Sequence, residues 1–137
     1  MKIPMIFVDS GPFLARYLIS DPYRELAVGL WGGLQRVRLL TTSHVLDETF
    51  TLLARRAGYR FAAERAERIY SSDAFEILPG SREDEVAAVR FFSKFADQKI
   101  SFTDCISFAI MRSNGIDTAF TFDRHFLYAG FKVIGLQ

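Results

Sequence analysis

The sequence is poor in the side chains that bind soft metals or form covalent cross-links. Its 137 residues include one cysteine, Cys105, and two histidines, His44 and His125. A single cysteine excludes an internal disulfide and a zinc cluster built on cysteines. Two histidines this far apart in the sequence, without a third partner, do not indicate a zinc site either. A reduced, cytoplasmic setting is the simplest interpretation, with Cys105 as a small buried filler rather than a nucleophile.

An excess of charge and long apolar runs are missing as well. Seventeen basic and sixteen acidic residues leave a net charge of +1, so any surface that binds nucleic acid has to be local. No apolar run approaches the roughly 18–20 residues that a membrane span needs, and the N-terminal run is too short for a signal peptide. The Walker loop, the GxSxG elbow, the GxGxxG fingerprint, internal repeats and long linkers are absent, which predicts one domain over residues 1–137.

What the chain does contain is a series of short apolar runs that alternate with helical patterns. The apolar runs predict strands at residues 3–8, 37–41, 75–78, 118–122 and 132–134. Patterns with a 3.6-residue period predict helices at residues 10–19, 23–34, 43–58, 60–71, 81–95 and 101–114, with a short helical turn after residue 123. Ser43, Ser81 and Ser101 are the expected N-caps, the last two in capping boxes. This alternation predicts an α/β fold with a mostly parallel sheet.

Four carboxylates lie at junctions between these elements. Asp9 follows the first strand directly, and Asp123 follows the fourth. Glu48 lies about a turn into the helix after the second strand, and Asp104 lies in the first turn of its helix. In open parallel sheets, sites form beyond the carboxyl ends of the strands, near a switch in strand order. This architecture can therefore bring all four acids to one edge of the sheet.

Three of these acids also have a simple local interpretation. Asp9 and Asp123 can be the N-caps of the helical segments that follow them. Asp104 can be the acidic member of a capping box with Ser101, where its charge suits the positive end of the helix dipole. The cap and the functional interpretation both stay open at this point.

Glu48 is harder to explain locally, because it lies inside its helix and borders the buried face. Asp47 borders the other edge of that face and competes with it, and a solvated side chain is possible for either. Several carboxylates held together repel one another, and a divalent cation removes that conflict. Oxygen ligands with few histidines suit Mg²⁺ or Mn²⁺ rather than zinc. Such sites most often carry out phosphoryl chemistry.

Four segments resemble the acidic motifs of the PIN-domain nucleases. They are FVDSGPFLA at 7–15, SHVLDETFTLL at 43–53, SFTDCISFAI at 101–110 and TFDRHF at 121–126, in the family's order. The length is similar to that of the single-domain toxins of the VapC type. The resemblance implies a three-layer α/β/α sandwich and an endoribonuclease that depends on Mg²⁺ or Mn²⁺. It further implies an RNA substrate, a homodimer and a small antitoxin protein that occludes the groove.

Carried over to this sequence, the resemblance assigns the catalytic and metal-binding cluster to Asp9, Glu48, Asp104 and Asp123. Asp9 and Asp104 match the most direct metal ligands. Glu48 and Asp123 match ligands of a second metal or residues that orient metal-bound water. Thr121 and Ser10 match positions of small hydroxyl residues near the site.

The sequence departs from the family pattern at Gly11 and Pro12, where many members have a polar residue and then an aliphatic one. That change leaves the acids intact and removes only a polar contact. His125, close to Asp123, is interpreted as a surface or partly packed histidine, although it could touch a phosphate.

Two groups of side chains keep alternative interpretations. Five arginines fall within fourteen residues: Arg55, Arg56, Arg60, Arg65 and Arg68. They can follow an RNA backbone, but Glu64 and Glu67 interleave with them, so a salt-bridged surface stays open. Core packing or a dimer contact explains the aromatic positions at near-helical spacing, namely Phe13, Tyr17, Phe91, Phe92 and Phe95. As a whole, the chain could also be a non-catalytic PIN-like module that binds RNA or protein, or an acid phosphatase or DNA nuclease with a similar acidic cluster.

Overall fold

A five-stranded sheet forms the centre of the structure, a computed structural model that describes residues 3–136. Its strands are β1 (Met5–Val8), β2 (Arg38–Thr42), β3 (Phe75–Leu78), β4 (Thr118–Phe120) and β5 (Lys132–Ile134). The strand order is β3-β2-β1-β4-β5, and each neighbouring pair is parallel. The predicted α/β fold with a mostly parallel sheet is confirmed. Residues 1, 2 and 137 of the predicted domain lie outside the described part.

Helices occupy the connections between the strands. They are α1 (Ser10–Tyr17), α2 (Arg24–Gly32), α3 (Ser43–Ala57), α4 (Tyr59–Ser71), α5 (Arg82–Lys94), α6 (Phe102–Ser113) and α7 (His125–Tyr128), with a 3₁₀ turn at Ala96–Gln98. The 3₁₀ turn was not predicted, and α1 ends two residues before its predicted end. None of the helices within residues 3–136 is long and apolar enough to cross a membrane.

Helices pack on both faces of the sheet through aromatic side chains. Phe7 of β1 contacts Phe126 of α7, with ring centroids 6.3 Å apart, and Phe126 contacts Phe108 of α6 at 5.0 Å. On the other face, the ring of Trp31 from α2 meets Phe120 of β4 at 5.2 Å. A sheet buried on both faces needs strands that are apolar at every position, which is why β1 reads as one continuous apolar run. The expected α/β/α sandwich is confirmed.

The helix ends show which local signals act as predicted. The capping box of Ser81 and Asp84 at α5 is confirmed, with both reciprocal hydrogen bonds present. The prediction that Ser43 caps α3 is wrong by one residue. The cap is Thr42, whose hydroxyl accepts the Val45 N–H at 3.0 Å, because β2 runs directly into the helix. Gly58 ends α3 as expected, with a positive φ of 97°.

The strand order changes direction beside β1. The chain adds β2 and then β3 on one side of β1, and it returns to add β4 and β5 on the other side. At the carboxyl ends of β1 and β4, the Asp9 N–H donates to the Phe120 carbonyl at 3.0 Å. β4 ends at Phe120 and not at Phe122 as predicted. The next three residues form a loop that lies against Asp9, at the switch point where this class of sheet builds its sites.

Candidate active site

Asp9 is buried at the switch point and does not cap the helix that follows it. It occupies the N-cap position of α1 with an extended backbone, but its side chain makes no capping hydrogen bond. Only 5% of the residue is exposed, and its Oδ2 atom accepts a hydrogen bond from the Thr121 hydroxyl at 2.7 Å. The N-cap interpretation is therefore right for the position of Asp9 and wrong for its carboxylate.

Thr121 connects two of the predicted acids. Its hydroxyl donates to Asp9 and accepts the Asp123 N–H at 3.0 Å, and the side chain is fully buried. Asp123 in turn accepts the N–H of His125 on Oδ1 at 2.9 Å, which stabilises the turn into α7. The N-cap prediction for Asp123 is wrong by one residue, because Arg124 is the N-cap of α7. The turn that Asp123 forms still holds its carboxylate next to Asp9 and Thr121.

Asp104 forms only half of the capping box that its sequence predicts. Its N–H donates to the Ser101 hydroxyl at 3.1 Å, so Ser101 is the N-cap of α6 as expected. Within the described residues, the reciprocal bond from the Ser101 N–H to the Asp104 carboxylate is absent, which makes the capping-box prediction wrong for this side chain. The carboxylate lies instead beside Asp123 and 3.6 Å from the His125 Nδ1 atom.

His125 completes a group of three potential ligands. Its Nδ1 atom lies 3.2 Å from Asp123 Oδ1. Three atoms, namely one carboxylate oxygen of Asp104, one of Asp123 and one ring nitrogen of His125, all lie within 4.8 Å of one another. The Nδ1 atom is buried and has no hydrogen-bond partner among residues 3–136. The sequence interpretation of a partly packed histidine is right about burial but misses these neighbours. The turn that begins at Asp123 is the signal that could have found them, because it folds His125 back over the acids.

The four predicted acids share one electrostatic environment. Burial, together with the charges of Asp9, Asp123 and Glu48, raises the pKa of Asp104 to about 9. Burial also raises the pKa of Asp9 to about 6, where the Thr121 hydrogen bond opposes it and the charges of Asp123 and Glu48 add to it. Buried carboxylates in this arrangement are costly without a counter-charge. Asp104 and Asp123 bring carboxylate oxygens within 4.8 Å of each other beside the buried Asp9, and oxygen donors of this kind fit a hard divalent cation.

Glu48 rather than Asp47 belongs to this environment. Both side chains are exposed on α3, and both line a cavity of about 310 Å³ with Arg55 and Thr103. The principal charges that raise the pKa values of Asp9 and Asp104 include Glu48 and not Asp47. The charge of Glu48 thus acts on the two buried acids, which favours Glu48 over Asp47 as the fourth member of the predicted cluster.

Three other predictions concern residues near or around the site. Burial and the charge of Asp104 raise the pKa of the Cys105 thiol to about 11, in agreement with an inert buried filler. Phe13 and Phe91 are core residues as expected, whereas Phe92 is exposed. The five arginines of positions 55–68 form no salt bridge in the part of the chain that the structure describes, so the predicted ion pairs with Glu64 and Glu67 are absent there, whereas all of these arginines except Arg65 are exposed to solvent. The Arg65 guanidinium lies over the Phe61 ring at 4.6 Å.

Thr121→Val tests how strongly the buried hydroxyl stabilises the site. Valine keeps the branched shape but leaves Asp9 Oδ2 and the Asp123 N–H without this partner, at a cost of about 2 kcal/mol of unfolding free energy. Thr121→Ser keeps the hydroxyl and serves as the matched control, with a loss of roughly 1 kcal/mol for the missing methyl group. Urea unfolding measures both variants. If valine proves as stable as serine at this position, the two hydrogen bonds contribute nothing to the fold.

Comparison with known proteins identifies the class. The PIN domain profile matches residues 6–132, which contain all four acids, and the chain belongs to the PIN domain family. The expected family resemblance is confirmed.

Among individual proteins, the chain is similar to VapC20 of Mycobacterium tuberculosis, a 23S rRNA-specific endonuclease. The two are 38% identical over 127 residues, which cover 93% of this chain and 95% of VapC20. The crystal structure of VapC20, a sarcin–ricin loop cleaving toxin, matches with a TM-score of 0.83 at 35% identity, over 92% of this chain and 95% of that chain.

Two more distant structures support the fold alone. FitAcB from Neisseria gonorrhoeae matches with a TM-score of 0.73 at 19% identity, over 95% of this chain and 96% of that chain. VapBC2 from Rickettsia felis, bound to a DNA fragment from its promoter, matches with a TM-score of 0.72 at 10% identity, over 95% of this chain and 97% of that chain. The α/β/α arrangement therefore persists where little sequence identity remains.

Proposed function

We propose that this protein is a metal-dependent endoribonuclease and the toxin of a toxin–antitoxin pair. The observation that carries the proposal is the geometry at the switch in strand order: atoms of Asp104, Asp123 and His125 lie within 4.8 Å of one another, and Thr121 joins Asp9 to Asp123 through two hydrogen bonds. The similarity to a 23S rRNA-specific endonuclease over 93% of the chain supports RNA as the substrate. The proposal includes a cytoplasmic location, a homodimer and a small antitoxin that covers the acidic cluster.

The burial of the acids suggests their roles. Asp9 and Asp104 are the two buried carboxylates, with 5% and 8% of each residue exposed, and we assign them as direct ligands of Mg²⁺ or Mn²⁺. Asp123 and Glu48 lie at the more open rim, where they can bind a second cation or orient water. A bound divalent cation would polarise the phosphate and activate water for hydrolysis. Thr121 holds the Asp9 carboxylate in one orientation through its 2.7 Å hydrogen bond.

The proposed reaction determines the ends of the products. Water attacks the phosphodiester phosphorus, and the 3′ oxygen of the upstream nucleotide leaves with a proton. The products then carry 3′-hydroxyl and 5′-phosphate ends, because the 2′-hydroxyl does not act as the nucleophile. A 2′,3′-cyclic phosphate end would instead indicate attack by the 2′-hydroxyl and would contradict the assignment.

Removal of the metal tests the proposal directly. The purified protein is incubated with a hairpin RNA that carries the sarcin–ricin loop sequence, in Mg²⁺ or Mn²⁺ and in excess EDTA. We expect EDTA to slow cleavage by at least about 100-fold, since the cation supplies several kcal/mol of charge stabilisation. Analysis of the product ends by phosphatase and kinase labelling identifies the chemistry. Cleavage at an unchanged rate in EDTA would rule out a metal-dependent enzyme.

Two parallel assays separate the alternatives. A DNA hairpin of the same sequence and a generic phosphate monoester distinguish a ribonuclease from a DNA nuclease and from an acid phosphatase. A calorimetric titration with Mn²⁺ tests the non-catalytic alternative. In that case the acids should bind no cation at millimolar concentration. We expect cleavage of the RNA hairpin alone and saturable binding of Mn²⁺.

A further inference from the structure

Two aromatic rings lie beside the acidic cluster and take no part in the proposed hydrolysis. Tyr23 and Phe122 are stacked, with ring centroids 4.5 Å apart and an interplanar angle of 10°. They line a cavity of about 410 Å³ together with Asp9, Asp123 and Arg124. The cavity thus joins two carboxylates of the cluster, the Asp21 carboxylate, a flat aromatic surface and one guanidinium. This combination matches a nucleotide, which has a charged phosphate and an aromatic base.

Phe122 is held between two glycine backbones. A Cβ atom at Gly11 would lie 3.3 Å from the Phe122 Cδ2 atom, and one at Gly135 would lie 3.1 Å from its Cδ1 atom. Gly135 also has a φ of 117°, which other residues rarely adopt. The ring of Phe120 meets Phe122 edge-on at 6.0 Å. A side chain at Gly11 would push this ring by a few tenths of an ångström, so the departure from the family pattern at Gly11 leaves room for Phe122 beside α1.

Tyr23 is held in place by other contacts, yet about half of its surface is exposed to solvent. Its N–H donates to Asp21 Oδ1 at 2.8 Å, which fixes the turn before α2, and its ring packs on Phe122. Nevertheless, 48% of the residue is exposed, so core packing does not explain the side chain. A rigid aromatic ring loses little conformational entropy when it binds a partner. The stack is therefore organised for a flat ligand before that ligand arrives.

We propose that the aromatic platform, Tyr23 stacked on Phe122, binds an unpaired nucleobase of the RNA next to the phosphate at the acidic cluster. This inference rests on the proposed ribonuclease function and names the form of its substrate. Protein side chains stack on bases that are splayed out of single-stranded loops, whereas bases inside a duplex are covered by their neighbours. The platform therefore selects a loop or an unpaired strand, and the adjacent Arg124 adds a positive charge toward the RNA backbone.

Substitution of Tyr23 measures the contribution of the platform. Binding is followed in EDTA, without cleavage, as the fluorescence anisotropy of a labelled hairpin RNA. We expect Tyr23→Ala to weaken binding roughly 5- to 150-fold, the range of base–aromatic stacking. Tyr23→Phe keeps the ring and should stay within about 2-fold of the wild type. Tyr59→Ala removes a tyrosine that is 76% exposed on α4 and serves as the matched control, with no expected change.

RNAs in which each loop nucleotide in turn is abasic provide the second measurement. At the position that stacks on Tyr23, loss of the base should weaken binding to the wild type and leave binding to Tyr23→Ala unchanged. In cleavage assays, Tyr23→Ala should raise KM with little change in kcat, because stacking binds the substrate and the transition state equally. Thermal melts of each variant show that it folds, and Tyr23→Leu, which keeps an apolar contact with Phe122 but lacks an aromatic face, should bind as weakly as Tyr23→Ala.

The outcomes test the base-stacking proposal separately from the ribonuclease proposal. Wild-type affinity in a folded Tyr23→Ala variant, or an equal penalty for every abasic RNA in both proteins, would overturn the platform while cleavage stays intact. Tyr23-dependent binding by a protein that cleaves no RNA would support the platform and overturn the ribonuclease proposal. Equal affinity for the loop RNA and for a fully paired duplex would also contradict the platform.

Discussion

Asp104→Asn is expected to reduce RNA cleavage by at least about 10³-fold without unfolding the protein, a loss of roughly 4 kcal/mol of transition-state stabilisation. Asparagine has nearly the same size and can still accept and donate hydrogen bonds beside Asp123 and His125. It lacks the negative charge that holds a divalent cation, and Asp104 is one of the two most buried members of the cluster. Because the N–H of residue 104 belongs to the backbone, the Ser101 cap of α6 is retained.

The control for this variant carries the same substitution at the opposite end of β4. Asp117 precedes the strand, is exposed, and lies 3.7 Å from Lys132 in a surface salt bridge, which contributes little to stability. Asp117→Asn should cleave RNA like the wild type, and Asp9→Asn should be as inactive as Asp104→Asn. Single-turnover cleavage in saturating Mn²⁺ measures all three variants. Retained cleavage in Asp104→Asn, with unchanged dependence on metal, would remove Asp104 from the active site.

The order of the elements and the positions of the acids could be predicted from the sequence because both depend on local patterns. An apolar run that ends in Asp9 marks the carboxyl end of a buried strand wherever that strand lies in the sheet. Parallel strands place all their carboxyl ends at one edge, so Asp9 and Asp123 had to approach each other once β1 and β4 became neighbours. The strand order itself is a tertiary property, and it appears only in the structure.

The direction of a side chain could not be predicted in the same way. The pattern of a serine followed three residues later by an aspartate occurs at Ser81–Asp84 and again at Ser101–Asp104. It gives a complete capping box at the first place and half of one at the second. Asp84 is half-buried and caps its own helix, whereas Asp104 is buried against the carboxyl edge of the sheet and turns toward Asp123. The rotamer is selected by neighbours that are distant in the sequence.

The aromatic platform shows the same limit over a longer distance. Tyr23 precedes α2 and Phe122 follows β4, although the sequence predicts them as the first residue of a helix and the last residue of a strand. Neither predicted element indicates a contact between the two rings. In the sequence, Gly11 differs from the family pattern without a visible reason. The structure shows that a Cβ atom at this position would lie 3.3 Å from the Phe122 ring.

The acidic cluster also predicts that function costs stability. Asp104 is buried among like charges, so the free protein loses folding free energy when this carboxyl is ionised. Because the pKa of this carboxyl rises from 3.8 in the unfolded chain to about 9 on folding, the metal-free protein takes up a proton here when it folds at neutral pH, at a cost in free energy. Asp104→Asn needs no such proton and should raise the Tm of the metal-free protein at neutral pH by roughly 3–10 °C, for a gain of about 1–3 kcal/mol. A bound cation should reverse the order of the two Tm values, so that the wild type becomes more stable than Asp104→Asn. At about 100 times its Kd, Mn²⁺ adds about 2.7 kcal/mol to a protein that binds it and nothing to one that does not.

Differential scanning fluorimetry at neutral pH measures these Tm values without any RNA, first in EDTA and then in increasing concentrations of Mn²⁺. In EDTA, the Tm of Asp104→Asn should be higher than that of the wild type, and it should change little when Mn²⁺ is added. The Tm values of the wild type and of Asp117→Asn should increase together with Mn²⁺ and exceed that of Asp104→Asn. Parallel curves for all three proteins would mean that the cation binds elsewhere. A lower Tm for Asp104→Asn in EDTA would mean that its carboxylate stabilises the free protein, against the burial and repulsion that surround it.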